Sequence, residues 1–572
     1  MDRARLQAWR ERSRQAARPL SDRWDSLSPF LETRRAALLL FLLGFGVFWI
    51  EEVAWPVDRG RDSLEYMTYY IEMWKPHTVV RGLMALRTPL PGIVVGLPFQ
   101  IGGVVLVELV LGCLFALSVV AWSAIGLSFG RLAGLLTALC MLAYPPYGVL
   151  FHDVGPDGTF AFCVALWCLA AVRTARAPAG WKFVALGVGV ALVGLARPPG
   201  FALLAFAPAI LFLAGALRTR LVWCLAFLGV AAACMLGWAG YNALRYADFT
   251  LSRQGAAWVP FYPAFTSGNI SPSNGPASRK LAGAVRKLIL TQPGYRQAHE
   301  TVETYFRSPS FYEFANLLGL SDTVWGWDSG YRVLHQVADE TTFEAASRGP
   351  LLTRARRTLD GVWQMLRMQS FRYPSAKRPP ETGKPPLTVD VNGVRIANRE
   401  ALGTPWFDAA YGWVGCPSIY IDRCLVTDQG RIWNASQRRQ YRSMVRELVS
   451  WDKQLPPRNG SKWLAAKLNN VTNYLPRVPI WIAIGLLLLV LRRPRGMLML
   501  ATLSLLSLLI LAVHVYTGVY VVGYAVPVFP AFIVLMTAGL AGQRRPRLAD
   551  GGRRLPAWLA QARPRRKSDL SG

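Results

Sequence analysis

Two aspartates and two arginines stand within five residues of one another in the segment Asp58-Arg59-Gly60-Arg61-Asp62, with Glu65 and Tyr66 just beyond. A carboxylate held in such a group can take the proton of an incoming hydroxyl, while a neighbouring guanidinium neutralises a departing phosphate. The plain alternative is a solvated loop of mixed charge. Further along, His152, Asp153 and Asp157 crowd a second short polar stretch, and Arg197 stands before Pro198 and Pro199. Apolar runs bracket Arg197, so its charge must point into a cavity, an interface or a phosphate, or snorkel to the headgroups. Arg81 and Arg87 precede a proline-rich apolar approach at 88–101, and Tyr524, Pro527 and Pro530 open the last apolar run, where alone they would suggest only a helix kink.

The elements that must position these residues are membrane helices. The chain has 572 residues, 52% of them hydrophobic and only 17% charged. Several uninterrupted apolar runs reach about 18 residues or more, enough to cross a hydrocarbon layer roughly 30 Å thick. That excludes a soluble enzyme. With 21 Trp and 26 Phe against 8 Cys, composition also excludes a disordered chain and a dense disulfide scaffold. The net charge of +30 gathers beside the apolar runs, with nine Lys or Arg in 1–35 and nine more after 543. Such charge orients spans and meets anionic lipid, and no base-stacking motif accompanies it, so nucleic acid is not an expected partner.

Ten spans are expected, at about 35–55, 102–128, 132–151, 158–173, 181–196, 200–217, 221–241, 476–491, 496–514 and 521–541. The basic loops place both termini in the cytoplasm and the acidic loops outside. The organisation expected is a basic N-terminus at 1–35, seven spans with their outer loops at 36–245, an extracytoplasmic domain at 246–474, three spans at 475–542 and a basic tail at 543–572. In the outer domain helical periodicity occurs at 279–290, 351–369 and 437–451. The stretch 387–394 alternates like a hairpin, so the domain is expected to be mixed α and β.

Several features have duller readings. Cys416 and Cys424 suit a disulfide better than a metal site, because no His or third Cys completes a ligand set. Asn434 and Asn470 begin glycosylation sequons that a bacterial source would leave silent. The glycine-rich stretch 187–194 mimics a dinucleotide loop but lies in a span, where close helix packing explains it better. Trp258, Trp325, Trp327, Trp363, Trp406 and Trp413 are more often core than sugar platforms. Glu108 and His514 suggest interhelical hydrogen bonds, and Glu51 and Glu52 lie within the end of the first span.

The order of landmarks resembles the GT-C superfamily of polytopic glycosyltransferases, which includes protein O-mannosyltransferases and the lipid A aminoarabinose transferase. The acidic first loop, RTPLPG at 87–92, YPPYGVLFHDVGPD at 144–157, LARPPG at 195–200 and GYAVPVFP at 523–530 carry the resemblance, over about 36–245 and 476–541. It implies a GT-C fold in the inner (plasma) membrane and a donor whose polyprenyl-phosphate tail stays in the bilayer. It implies an inverting transfer of sugar to an extracytoplasmic glycan, lipid or protein. It makes Asp62 the general base, with Asp58 second, and lets Arg59, Arg61, Glu65, Arg81, Arg87, His152, Asp157, Arg197 and Tyr524 line the substrates. Many members carry Arg before the last Tyr. This chain has Gly523, which leaves that phosphate contact either absent or supplied by Arg81, Arg87 or Arg245. No metal ligand set and no required cofactor is expected, although a divalent cation is compatible with the chemistry. The competing readings are a surface-polysaccharide ligase or polymerase with a pyrophosphate-linked donor, a lipid transporter or flippase, and a noncatalytic scaffold.

Overall fold

The computed structural model describes residues 28–58, 63–74, 87–246, 249–252, most of 261–306, 327–347, 351–367, 388–391, 394–397, a few positions between 446 and 454, 460–492, 496–516 and 522–541. The protein is a helical, multi-pass membrane protein. Its first span, α1 (Arg34–Ala54), is capped by the Thr33 hydroxyl, which accepts from the Ala36 amide. After a short α2 (Ser63–Trp74), the proline-rich approach turns out to begin the next helix. Thr88 is its N-cap and Pro89 its first residue, a position that needs no N–H. This helix, α3 (Pro89–Leu127), has one break, at Gly102 and Gly103, where Gly103 takes a φ of 64°.

Next come α4 (Arg131–Leu142) and α5 (Pro145–Gly148), the latter prolonged by a 3-10 turn to Phe151, then α6 (Pro156–Arg176) and α7 (Gly180–Ala196). A 3-10 stretch over Pro198–Phe206 leads into the single turn α8 (Ala207–Ile210), followed by α9 (Leu217–Tyr246). The expected span at 200–217 is therefore corrected. Prolines 198, 199 and 208 remove amide donors from the ladder, and the chain takes the tighter helix and stops at Ile210.

Among the described residues six helices are long and apolar enough to cross a bilayer, or seven if the bent pair of α4 with the α5 stretch, meeting at 71°, is one span. Three expected spans are instead shorter apolar helices, at Gly180–Ala196, Pro198–Ile210 and Val526–Ala541. The core lies where α3 packs against α1, α4 and α6, around Phe115, Trp122, Tyr147 and Phe151. Lipid tails give no hydrophobic drive between helices, so close approach decides. A Cβ on Gly187 would lie 2.5 Å from the Phe227 carbonyl oxygen of α9. Helix packing therefore accounts for that residue of the glycine-rich stretch.

Between 246 and 474 the described residues are nearly all helical: α10 (Pro276–Ala284), α11 (Val302–Phe306), α12 (Trp327–Ser347), α13 (Leu351–Arg367) and α14 (Lys462–Tyr474). The expected hairpin is present as β1 (Thr388–Val391) antiparallel to β2 (Val394–Ala397), with Val391 opposite Val394. No mixed α/β domain is built among the described residues. Phe265, Leu281, Val285, Tyr305 and Val337 form a separate small core, beside which Glu344 of α12 accepts from the Ala277 and Ser278 amides that open α10. The chain then passes through α15 (Val478–Arg492), α16 (Met497–Tyr516), α17 (Val522–Ala525), a 3-10 turn and α18 (Pro530–Ala541). Trp325, Trp406, Trp413, Trp258, Cys416, Cys424 and Asn434 lie outside the described residues.

Candidate functional site

The end of α1 and the loop before α6 are zipped together. The Asp58 amide donates to the His152 carbonyl at 3.1 Å, and the Val154 amide donates to the Asp58 carbonyl at 3.0 Å, forming a parallel bridge between Asp58 and Asp153. Asp58 and the second polar loop are thereby joined, 95 residues apart in the chain as Asp58 and Asp153 are numbered.

His152 is fully buried beneath this bridge. Its Nδ1 lies 2.9 Å from a Glu52 carboxylate oxygen, its Nε2 lies 3.5 Å from Glu51, and its ring stacks on Phe48 at 4.3 Å between centroids. The other Glu52 oxygen accepts from the Val57 amide at 2.8 Å. Burial disfavours protonation of the ring, but hydrogen bonds to Glu51 and Glu52 outweigh it and hold the His152 pKa above its ordinary value. Glu51 and Glu52 were not among the residues expected to build the site. Two adjacent carboxylates in an apolar span demand a partner, and a histidine that directly follows an apolar run, as His152 does, is one.

A second group forms on the far side of the same loop. Asp157 sits in the first turn of α6 and Arg197 caps the end of α7, each at the helix terminus whose dipole favours its charge. They form a mostly buried ion pair. The Arg197 guanidinium also lies over the Tyr524 ring, 3.6 Å from its centre. His514 of α16 packs on Tyr524 at 5.3 Å and on Phe160 at 6.3 Å, while its Nδ1 is 2.9 Å from the Ile510 carbonyl of its own helix. The expected interhelical role of His514 is thus a ring contact rather than that hydrogen bond.

The proline-rich approach reaches the same place. Thr88 donates its hydroxyl to the Ala196 carbonyl at 3.2 Å, which puts Arg87 near Arg197 in the fold, and the Arg87 guanidinium lies 5.6 Å from the centre of the Tyr66 ring. The helix α2 that carries Tyr66 also carries Glu65, and it lies against α3 because Gly92 leaves room: a Cβ there would stand 2.6 Å from the Tyr66 carbonyl oxygen. Asp58, Arg87, His152, Asp157, Arg197 and Tyr524 are therefore all placed at one end of the helical bundle. Asp62, Arg59, Arg61 and Arg81 lie outside the described residues, Asp62 being the residue that immediately precedes α2. Among the described residues no three His, Cys, Asp or Glu side chains are grouped so as to hold a metal ion.

A carboxylate can accept a proton, and a buried guanidinium beside it can hold an anion.

No protein-family model matches the chain, and no curated protein matches it. Among solved structures the chain is similar to ArnT from Cupriavidus metallidurans bound to undecaprenyl phosphate, with 14% identity, coverage of 89% of this chain and 79% of that one, and a TM-score of 0.29. The apo state of the same protein gives 13% identity, coverage of 88% and 77%, and the same TM-score. At that score the likeness establishes neither a shared fold nor a shared chemistry.

Proposed function

We propose that the protein is an inverting, GT-C-type glycosyltransferase that moves a sugar from a polyprenyl-phosphate donor to an acceptor on the outer face of the plasma membrane. The observation that supports this reading is the 152–157 loop, which joins Asp58 at one end and pairs with Arg197 at the other. Acids and a cation from three separate loops meet at one rim of a membrane bundle, where a lipid-borne phosphate and a soluble hydroxyl could both reach.

In this reading Asp62, seconded by Asp58, takes the proton of the acceptor hydroxyl as its oxygen attacks the anomeric carbon. The bond from that carbon to the phosphate oxygen breaks, and the pair of electrons leaves with the lipid phosphate. Single displacement inverts the anomeric centre, unlike the two-step route through a glycosyl-enzyme. Arg197 meets the negative charge gathered on the leaving phosphate, helped by Arg87, Arg81, Arg59 and Arg61. Glu65, His152, Asp157 and Tyr524 complete the lining or its support. No step requires a cofactor, and a divalent cation would serve only to share the phosphate charge. Both termini then face the cytoplasm.

Purified protein incubated with a polyprenyl-phosphate sugar should transfer the sugar or slowly hydrolyse the donor. Asp62→Asn should lower transfer by about 100-fold or more while donor binding and folding persist. Full activity in Asp62→Asn would remove the base assignment, and lipid movement across the bilayer without bond cleavage would replace the enzyme with a flippase.

A further inference from the structure

Glu51, Glu52 and His152 form an enclosed polar cluster between the end of α1 and the 152–157 loop. Phe48, Glu51 and Glu52 follow one another at positions i, i+3 and i+4 of α1 and so share one helix face. Together they make a three-sided seat: an aromatic floor at 4.3 Å and a carboxylate at each ring nitrogen of His152. The Glu52 contact is a hydrogen bond, while Glu51 faces Nε2 at ion-pair distance without one.

The seat is wired to the backbone around it. Glu52 holds His152 with one oxygen and the Val57 amide with the other, Asp58 follows Val57 in the chain, and the Asp58 amide returns to the His152 carbonyl. Side chain and main chain thus close a loop of hydrogen bonds through Glu52, His152, Asp58 and Val57. Water is kept from it by Ala54, Trp55 and Val149, on which α14 lays Leu464, Ala465 and Leu468. The Ser461 amide ties the start of α14 to the Val53 carbonyl at 2.7 Å. On the other side Gly148 leaves the space that the Glu51 carboxylate occupies, because any Cβ there would collide with it.

We propose that His152, clamped between Glu51 and Glu52, is a positioning residue that fixes the end of α1 against the 152–157 loop and thereby sets the spacing of Asp58 and Asp157. The consequence for catalysis rests on the glycosyltransferase reading; the clamp itself does not. His152 is enclosed, so the role argued for it is positioning and not catalysis. Its effect passes through the bridge to Asp58 and along four residues of loop to the partner of Arg197.

The test uses the full chain in lipid nanodiscs with His152→Ala, His152→Gln and Gly148→Ala. Hydrogen exchange needs no substrate: in His152→Ala the Asp58 and Val154 amides should exchange faster by about tenfold or more, since buried hydrogen bonds to charged groups are lost. His152→Gln keeps one donating amide and should fall between. Unchanged exchange at these amides in His152→Ala overturns the clamp. If that variant does not fold, Gly148→Ala decides, because its methyl meets the Glu51 carboxylate first; it should loosen the same two amides, and if it leaves them as they were the proposal fails.

Transfer from a polyprenyl-phosphate sugar reads the functional consequence. Displacing a reacting carboxylate by about 1 Å should lower kcat in His152→Ala by roughly 100-fold with little change in the donor KM, and Gln should restore part of it. A loss confined to the donor KM would mean direct contact with the lipid phosphate and would overturn the positioning role. A wild-type protein inert toward every such donor would sink the glycosyltransferase reading alone, with exchange still judging the clamp.

Discussion

The Arg197 guanidinium lies 3.6 Å above the centre of the Tyr524 ring while the same group is paired with Asp157. Its charge is thus satisfied from two sides before any ligand arrives. The ring face holds the cation without neutralising it, so a phosphate competes for the guanidinium with Asp157. A cation over an aromatic ring is worth about 0.5–2 kcal/mol. Tyr524→Phe should therefore keep donor binding near the wild-type level, and Tyr524→Leu should weaken it by roughly 2- to 30-fold, as read by titration with undecaprenyl phosphate. Equal weakening in both would assign the effect to the hydroxyl.

Removing one member of a mostly buried ion pair strands the other. Arg197→Gln should destabilise the protein by about 3–5 kcal/mol because Asp157 is left uncompensated. Adding Asp157→Asn should restore much of that stability without restoring transfer. Thermal unfolding of the four proteins in one detergent measures the coupling, and additive losses would show that the pair contributes little.

Helix contact at Gly187 has no slack. A leucine there must push α9 away from α7 at the Phe227 carbonyl, and overpacking of this kind costs about 1–3 kcal/mol. A lowered unfolding temperature with an unchanged donor Kd is the expected result for Gly187→Leu.

Acid should loosen the small core outside the bundle. Partial burial tends to raise the Glu344 pKa, but hydrogen bonds from the Ser278 hydroxyl and amide and the Ala277 amide, with the charge of Arg279, outweigh it and hold the pKa below the ordinary value. A carboxylate depressed in the folded state stabilises above its unfolded pKa, about 4.3, and loses that contribution as pH falls through the lower folded value. Hydrogen exchange in 276–284 should accelerate below about pH 4 in the wild type, and Glu344→Gln should abolish that acid step.

Much of the bundle could be read from apolar runs, because a bilayer leaves a helix few alternatives. The runs at 35–55, 102–128, 158–173, 221–241 and 496–514 all correspond to helices of spanning length. The run at 200–217 misled because hydrophobicity alone does not register what three prolines do to an α-helical ladder. Arg197, Asp157 and Tyr524 could each be singled out from residue type and position, but not their mutual contact, since pairing across 40 residues or more is a property of packing. Glu51 and Glu52 were hidden for the opposite reason: set inside an apolar run they look like the frayed end of a span, and only the ring of His152, about 100 residues later, gives them a purpose.

The two glycines that interrupt α3 divide it into unequal levers. Pro89–Ile101 packs on α2 through Gly92 and Gly96, while Val104–Leu127 forms the longer arm. When a thinner membrane tilts the long arm to relieve hydrophobic mismatch, the joint at Gly102 and Gly103 offers a place to take up the rotation. Thr88 and its hold on Ala196 lie on the short arm, so bending at that joint need not disturb the rim.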